Sequence, residues 1–80
     1  MTLYYFDLHD GDEIVPDEEG LELRDLVAVK EEAARALAGL SWDAVRNFTG
    51  TQSHRMAIEV RDGLGPVMQV KFTFEVIRKQ

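Results

Sequence analysis

From Leu3 to His9, apolar and polar positions alternate: Tyr4, Phe6 and Leu8 on one side, Tyr5, Asp7 and His9 on the other. A period of two is the signature of a half-buried strand. Asp10-Gly11-Asp12 is turn chemistry, and Glu13-Ile14-Val15 is a short second strand ended by Pro16, which has no N–H to donate. Asp17 to Gly20 is read as a further turn. At Asp25 the period changes to that of a helix. Leu26, Val29, Ala33, Leu37, Leu40, Ala44 and Phe48 follow at steps of three and four, one face of a helix from about Asp25 to Asn47 with Asp25 as its N-cap. The opposite face holds Lys30, Glu31, Arg35 and Asp43, with Glu31 and Arg35 placed as an i,i+4 pair. Gly39 marks a point where this helix would kink, and Ser41 is placed to cap a separate turn.

After a loop pivoting on Gly50, Met56, Ile58 and Val60 alternate with Ala57, Glu59 and Arg61. The Asp62-Gly63-Leu64-Gly65-Pro66 stretch is a hairpin connection expected to use positive-φ residues. Val67 to Ile77 is the clearest strand, with Met68, Val70, Phe72, Phe74 and Val76 inward and Gln69, Lys71, Thr73 and Glu75 outward. The expected architecture is α+β: a four-stranded antiparallel sheet, β-β-α-β-β, with one helix packed on one face. The expected core is the inward set of all these strands against the helical stripe.

The 80 residues make one domain, 1–80, and a composition of 45% hydrophobic and 30% charged residues is that of a globular chain. The net charge of −6 argues against a nucleic-acid partner, which requires a surplus of Lys and Arg. The absence of cysteine excludes disulfides, thiolate metal sites and a cysteine nucleophile, and fits a reducing compartment. No apolar run approaches the roughly 20 residues that span a bilayer, and no basic-then-apolar leader opens the chain, so the expected location is cytoplasmic without a membrane partner. Charge is segregated: residues 1–23 carry eight acids and no base, whereas residues 53–80 carry five bases and three acids.

The order of Tyr4-Tyr5-Phe6-Asp7, Asp17-Glu18-Glu19-Gly20, the Ala33-Ala34 and Ala36-Leu37-Ala38 segments, and Met56-Ala57-Ile58-Glu59-Val60-Arg61-Asp62 resembles a family of short bacterial proteins. That family is known as a domain of unknown function, common in rhizobia and related alphaproteobacteria. The resemblance spans nearly the whole chain. It implies a cytoplasmic bacterial protein and supplies no activity, ligand or catalytic residue.

Candidate chemistry is sparse. Asp10, Asp12 and Glu18 are the candidate divalent-cation ligands, although the spacing departs from an EF-hand loop, with His9 at its third position and Gly11 at its fifth. His9 and His54 are the titratable candidates, and His9 with Asp7, two apart on one strand face, is a candidate acid–base pair. No nucleophile elbow or phosphate loop accompanies them, so no enzyme activity and no cofactor are expected. Trp42 lies off the helical stripe, either packed at the sheet's edge or exposed as an anchor for a partner. The uncovered sheet face would present Tyr5, Glu59, Arg61, Lys71 and Thr73, and Tyr5 would form an apolar patch with Leu3 and Ala57. The expectation is a non-enzymatic interaction or regulatory module that contacts a protein partner or a second copy through that face or by strand addition. The alternative is an acidic protein that binds a small ligand or divalent cation.

Overall fold

The computed structural model describes residues 1–47, 53–77 and 79. Along the chain run β1 (Thr2–Asp10), β2 (Glu13–Val15), β3 (Leu21–Leu23), α1 (Leu26–Asn47), β4 (Ser53–Asp62) and β5 (Gly65–Glu75). The sheet is antiparallel with order β2-β1-β4-β5, and β3 pairs with β1 on the side that β2 occupies. It has five strands rather than the expected four. The added strand, Leu21–Leu23, is too short to show a period of its own. It exists because the start of β1 offers it a ladder, Thr2 opposite Leu23 and Tyr4 opposite Leu21.

β2 and β3 are therefore one interrupted edge. Tyr5, Phe6 and Asp7 of β1 face the five residues 16–20, and those two extra residues push the chain out of the ladder. Gly20 closes this bulge at φ +76°, and a Cβ there would lie 3.1 Å from the Tyr4 carbonyl oxygen. Only glycine suits both the conformation and the space.

The helix begins where Asp25 caps it: the Ala28 N–H donates to Asp25 Oδ1 at 2.8 Å. It runs unbroken through Gly39 to Asn47, so the kink does not occur. Ser41 caps nothing; it is buried, and its hydroxyl donates to the Ala38 carbonyl at 2.9 Å. The ion pairs on the outer side are Glu32 with Arg35 at 2.9 Å, in place of Glu31 with Arg35, and Asp43 with Arg46 at 3.6 Å.

Val29, Ala33 and Leu37 pack on Tyr4, Met56, Ile58 and Val60, with Phe6, Leu8, Leu40, Ala44, Met68, Val70 and Phe72 around them. This is the expected core, shortened at both ends. Leu26 is 52% exposed because the first helical turn lies beyond the packed segment. Val76 and Ile77 lie past the end of β5. Phe74 is half-buried, its ring 5.9 Å from Phe72 and 5.7 Å from His54. Phe48, the loop at Gly50, and Arg78 lie outside the described residues.

The β4–β5 hairpin turns on Gly63 and Leu64, with Asp62 Oδ1 accepting from the N–H groups of Leu64 and Gly65. Positive φ falls on Gly65 and not on Gly63. Among the described residues no helix is long and apolar enough to cross a membrane.

Candidate functional site

The helix covers one face of the sheet. The other face divides into two polar clusters, and the outer side of α1 forms a third exposed surface.

The first cluster is a knot at the bulge. Asp7 projects from the middle of β1 and is only 8% exposed. Arg61, on the neighbouring strand, donates from Nε to Asp7 Oδ2 at 2.9 Å, and the Asp17 N–H donates to Asp7 Oδ1 at 2.9 Å. Asp17 in turn accepts from the N–H groups of Phe6 (3.1 Å), Glu19 (3.1 Å) and Gly20 (3.3 Å). Its carbonyl accepts from Arg61 Nη2 at 3.0 Å. The Arg61 guanidinium lies 4.4 Å from the centre of the Tyr5 ring, within cation–π range.

The backbone groups released by the bulge are thus satisfied by two carboxylates. Burial pushes the Asp7 carboxyl up, but the bonds from Arg61 and the Asp17 N–H outweigh it and hold its pKa below the ordinary 3.8. Asp17 shows the same balance: burial raises it, and the N–H groups of Phe6, Glu19 and Gly20 lower it further than that. The bond to Asp7 raises Arg61 in return. Two ionised carboxylates with their oxygens occupied form a clamp, and neither is poised to move a proton near neutrality.

The second cluster is a shallow groove of about 130 Å³ toward the other end of the same face, with His9, Arg55, Lys71 and Thr73 around Gly11 and Ala57. His9, Ala57 and Lys71 sit opposite one another on β1, β4 and β5, and Arg55 sits opposite Thr73. The floor is small and the walls are long, which is what makes the depression.

The third surface is the outer side of α1. Val27, Trp42 and Val45 are exposed by 60%, 67% and 40%, and Ala34 and Ala38 are exposed with them. At 100° per residue these five fall within an arc of about 80°, centred roughly 120° from the buried stripe, and the exposed Glu31 lies in the same arc.

These placements redistribute the residues singled out from the sequence. Tyr5 and Arg61 are brought together, but in the knot, with the Tyr5 ring under the guanidinium. The expected apolar patch does not form, because Ala57 is buried while Leu3 stays exposed. Lys71 and Thr73 line the groove, Glu59 is half-buried between the two clusters, and Trp42 stands apart on the helix.

Asp7 is engaged by Arg61 and Asp17; the histidine–aspartate pair that does form is His54 with Asp10, across β1 and β4 on the helix side of the sheet. Asp10, Asp12 and Glu18 do not converge: among the described residues no three His, Cys, Asp or Glu side chains are grouped to hold a metal ion. Sequence reasoning grouped Arg55 with Arg61, Lys71 and Arg78 as a basic side, and missed the part played by Asp17 and the Val27–Val45 stripe. Asp17 carried a signal, an aspartate three residues before a glycine, which is the spacing of a side chain that bonds its own turn.

The family described as "Domain of unknown function (DUF6894)" matches residues 3–73. The chain belongs to the DUF6894 family. The DUF6894 match takes in the knot, the groove and all of α1, so each surface described above lies inside the family's extent. Neither the curated proteins nor the solved structures give a match to the chain.

Proposed function

We propose that this DUF6894 protein is a non-enzymatic interaction module that pairs with a second copy of itself through the outer side of α1. The observation that carries the reading is Trp42, 67% exposed and in line with Val27, Ala34, Ala38 and Val45. An exposed stripe that is apolar apart from Glu31, with an aromatic near one end, has the composition of a contact centre, where tryptophan is among the most enriched anchors.

The spacing of the stripe favours a copy of the same chain. In a twofold contact each residue i meets j while j meets i. Two antiparallel α1 helices related by an axis at Ala36 place Val27 opposite the partner's Val45, and Ala34 opposite the partner's Ala38. Side chains on a helix lean toward its N-terminus, so each Trp42 leans over the other copy's Ala34, where a small residue leaves room for the indole. The antiparallel arrangement also sets opposite helix dipoles side by side.

Sedimentation velocity from micromolar to millimolar concentration tests the reading. The expected result is a dimer that Trp42→Glu converts to monomer while the thermal melt of the monomer is unchanged. Trp42 is the single tryptophan, so a blue shift of its emission on association reports the same contact. A wild-type monomer at all concentrations, or a dimer indifferent to Trp42→Glu, overturns the proposal; the second outcome moves the contact to the outer edge of β5.

A further inference from the structure

The groove at the open face holds donors and no carboxylate. Its polar side chains are the His9 imidazole, the Arg55 guanidinium, the Lys71 ammonium and the Thr73 hydroxyl, beside Met56 and Ala57, in a chain with fifteen acids and a net charge of −6. Among the described residues, Arg55 and Lys71 make no ion pair. The carboxylates on this face are one register step away, Asp7 committed to Arg61, Glu59 opposite Gln69 and Glu75 opposite Ser53, and Asp12 lies in the adjoining recess that shares Gly11 and Arg55.

From this geometry we infer that the groove is a binding site for a single phosphate-type oxyanion. Arginine presents a planar fork that matches two oxygens of such a group, lysine a point charge, and threonine one further donor. Arg55 and Lys71 approach from adjacent strands, β4 and β5, with His9 across the buried Ala57 on β1. A recess of about 130 Å³ is well below the roughly 300–1,000 Å³ of sites that enclose a whole small molecule. It takes one head group and leaves whatever carries that group outside. Ala57, buried between His9 and Lys71, keeps the floor low, and Gly11 at φ +61° forms the turn at its rim. Gly11 is held there by its N–H, which donates to the Arg55 carbonyl at 3.0 Å and ties the hairpin turn to the strand bearing the guanidinium.

Amide-resolved NMR titration tests this with three probes at matched ionic strength: inorganic phosphate, glycerol phosphate and sodium chloride. The expected result is saturable shifts at His9, Gly11, Arg55, Ala57, Lys71 and Thr73 with the phosphates and none that saturate with chloride. Tighter binding of the ester than of the free ion assigns the group to a larger phosphorylated molecule, and equal binding assigns it to inorganic phosphate. Arg55→Gln and Lys71→Gln each weaken the affinity by roughly tenfold, the loss of one charge-assisted hydrogen bond. Both side chains are exposed, so an unchanged spectrum outside the groove verifies that the variants fold. Shifts that follow chloride equally, or that persist in the double variant, overturn the site.

Discussion

At one edge of the sheet, β1 is flanked by two three-residue strands, β2 and β3, with five residues between them. At the other edge, β5 runs eleven residues from Gly65 to Glu75, and among the described residues it pairs only with β4. An uninterrupted edge presents a row of unpaired N–H and C=O groups, which proteins blunt by shortening strands, inserting bulges or placing charge and proline. The β2/β3 edge is blunted by interruption. Its released amides are gathered by Asp17, and Asp17 is tied to the body of the sheet through Asp7 and Arg61. The β5 edge relies on local devices instead: Pro66 near its start, a register irregularity opposite Val60 and Arg61, and Lys71 and Glu75 along its length. One edge is thus stabilised by a tertiary network and the other by its own composition. Single substitutions should therefore act very differently on the two.

The sharpest way to break the contrast is Asp17→Ala. It leaves the N–H groups of Phe6, Glu19 and Gly20 without their acceptor, while the backbone N–H of residue 17 still donates to Asp7. The expected cost is about 3 kcal/mol, from several hydrogen bonds to a charged group, measured by urea unfolding. The matching truncation on β5, Gln69→Ala, is expected to stay within about 0.5 kcal/mol, as surface changes do. Equal effects at the two positions would remove the distinction. Next in size is Gly20→Ala, expected to cost about 2 kcal/mol because an alanine at φ +76° is strained and its Cβ meets the Tyr4 carbonyl. A substitution there without loss of stability would mean that the bulge relaxes freely.

The smallest effect at neutral pH is the most specific. Asp7 and Asp17 have folded pKa values below the ordinary 3.8. Their contribution is therefore present above that value and is lost as the pH falls through the lower folded values. Acidification from pH 4 downward should lower the amide-exchange protection factors of Phe6, Asp17 and Gly20, beyond any change at Val70 and Phe72 in β5. A uniform response of both edges would show that the knot does not carry the acid sensitivity.

The charge segregation along the chain becomes a division of the sheet. Residues 1–23, with their eight acids, form β1 and the interrupted edge, while β4 and β5 bring the bases of the second half. The knot and the groove both lie along the line where these halves meet, each drawing on β1 from one side and β4 from the other.

Much of this was legible in the residue pattern, because period and burial are coupled locally. Tyr4, Phe6 and Leu8 alternate, so they share a face in any sheet; Val29, Ala33 and Leu37 step by four, so they share a face in any helix. Asp25 caps within its own turn, and Asp62 bonds within its own hairpin. Each of those outcomes depends on atoms a few residues apart. What remained hidden depends on atoms far apart in sequence. β3 exists only where the start of β1 accepts it, and Asp7 and Arg61 meet across fifty-four positions. The stripe from Val27 to Val45 shares the helical period of the buried one, and local patterning alone does not say which of two apolar stripes a sheet will cover.

Sequence by itself determined every element but β3, their order and the side the longer ones present to the core, since those follow from backbone geometry and the transfer of apolar side chains out of water. Tertiary structure alone decided which carboxylate meets Arg61, which histidine meets Asp10, and which cations are left facing an open recess. The physical reason is that charge pairing acts through space, between strands whose register is set only once the sheet has formed.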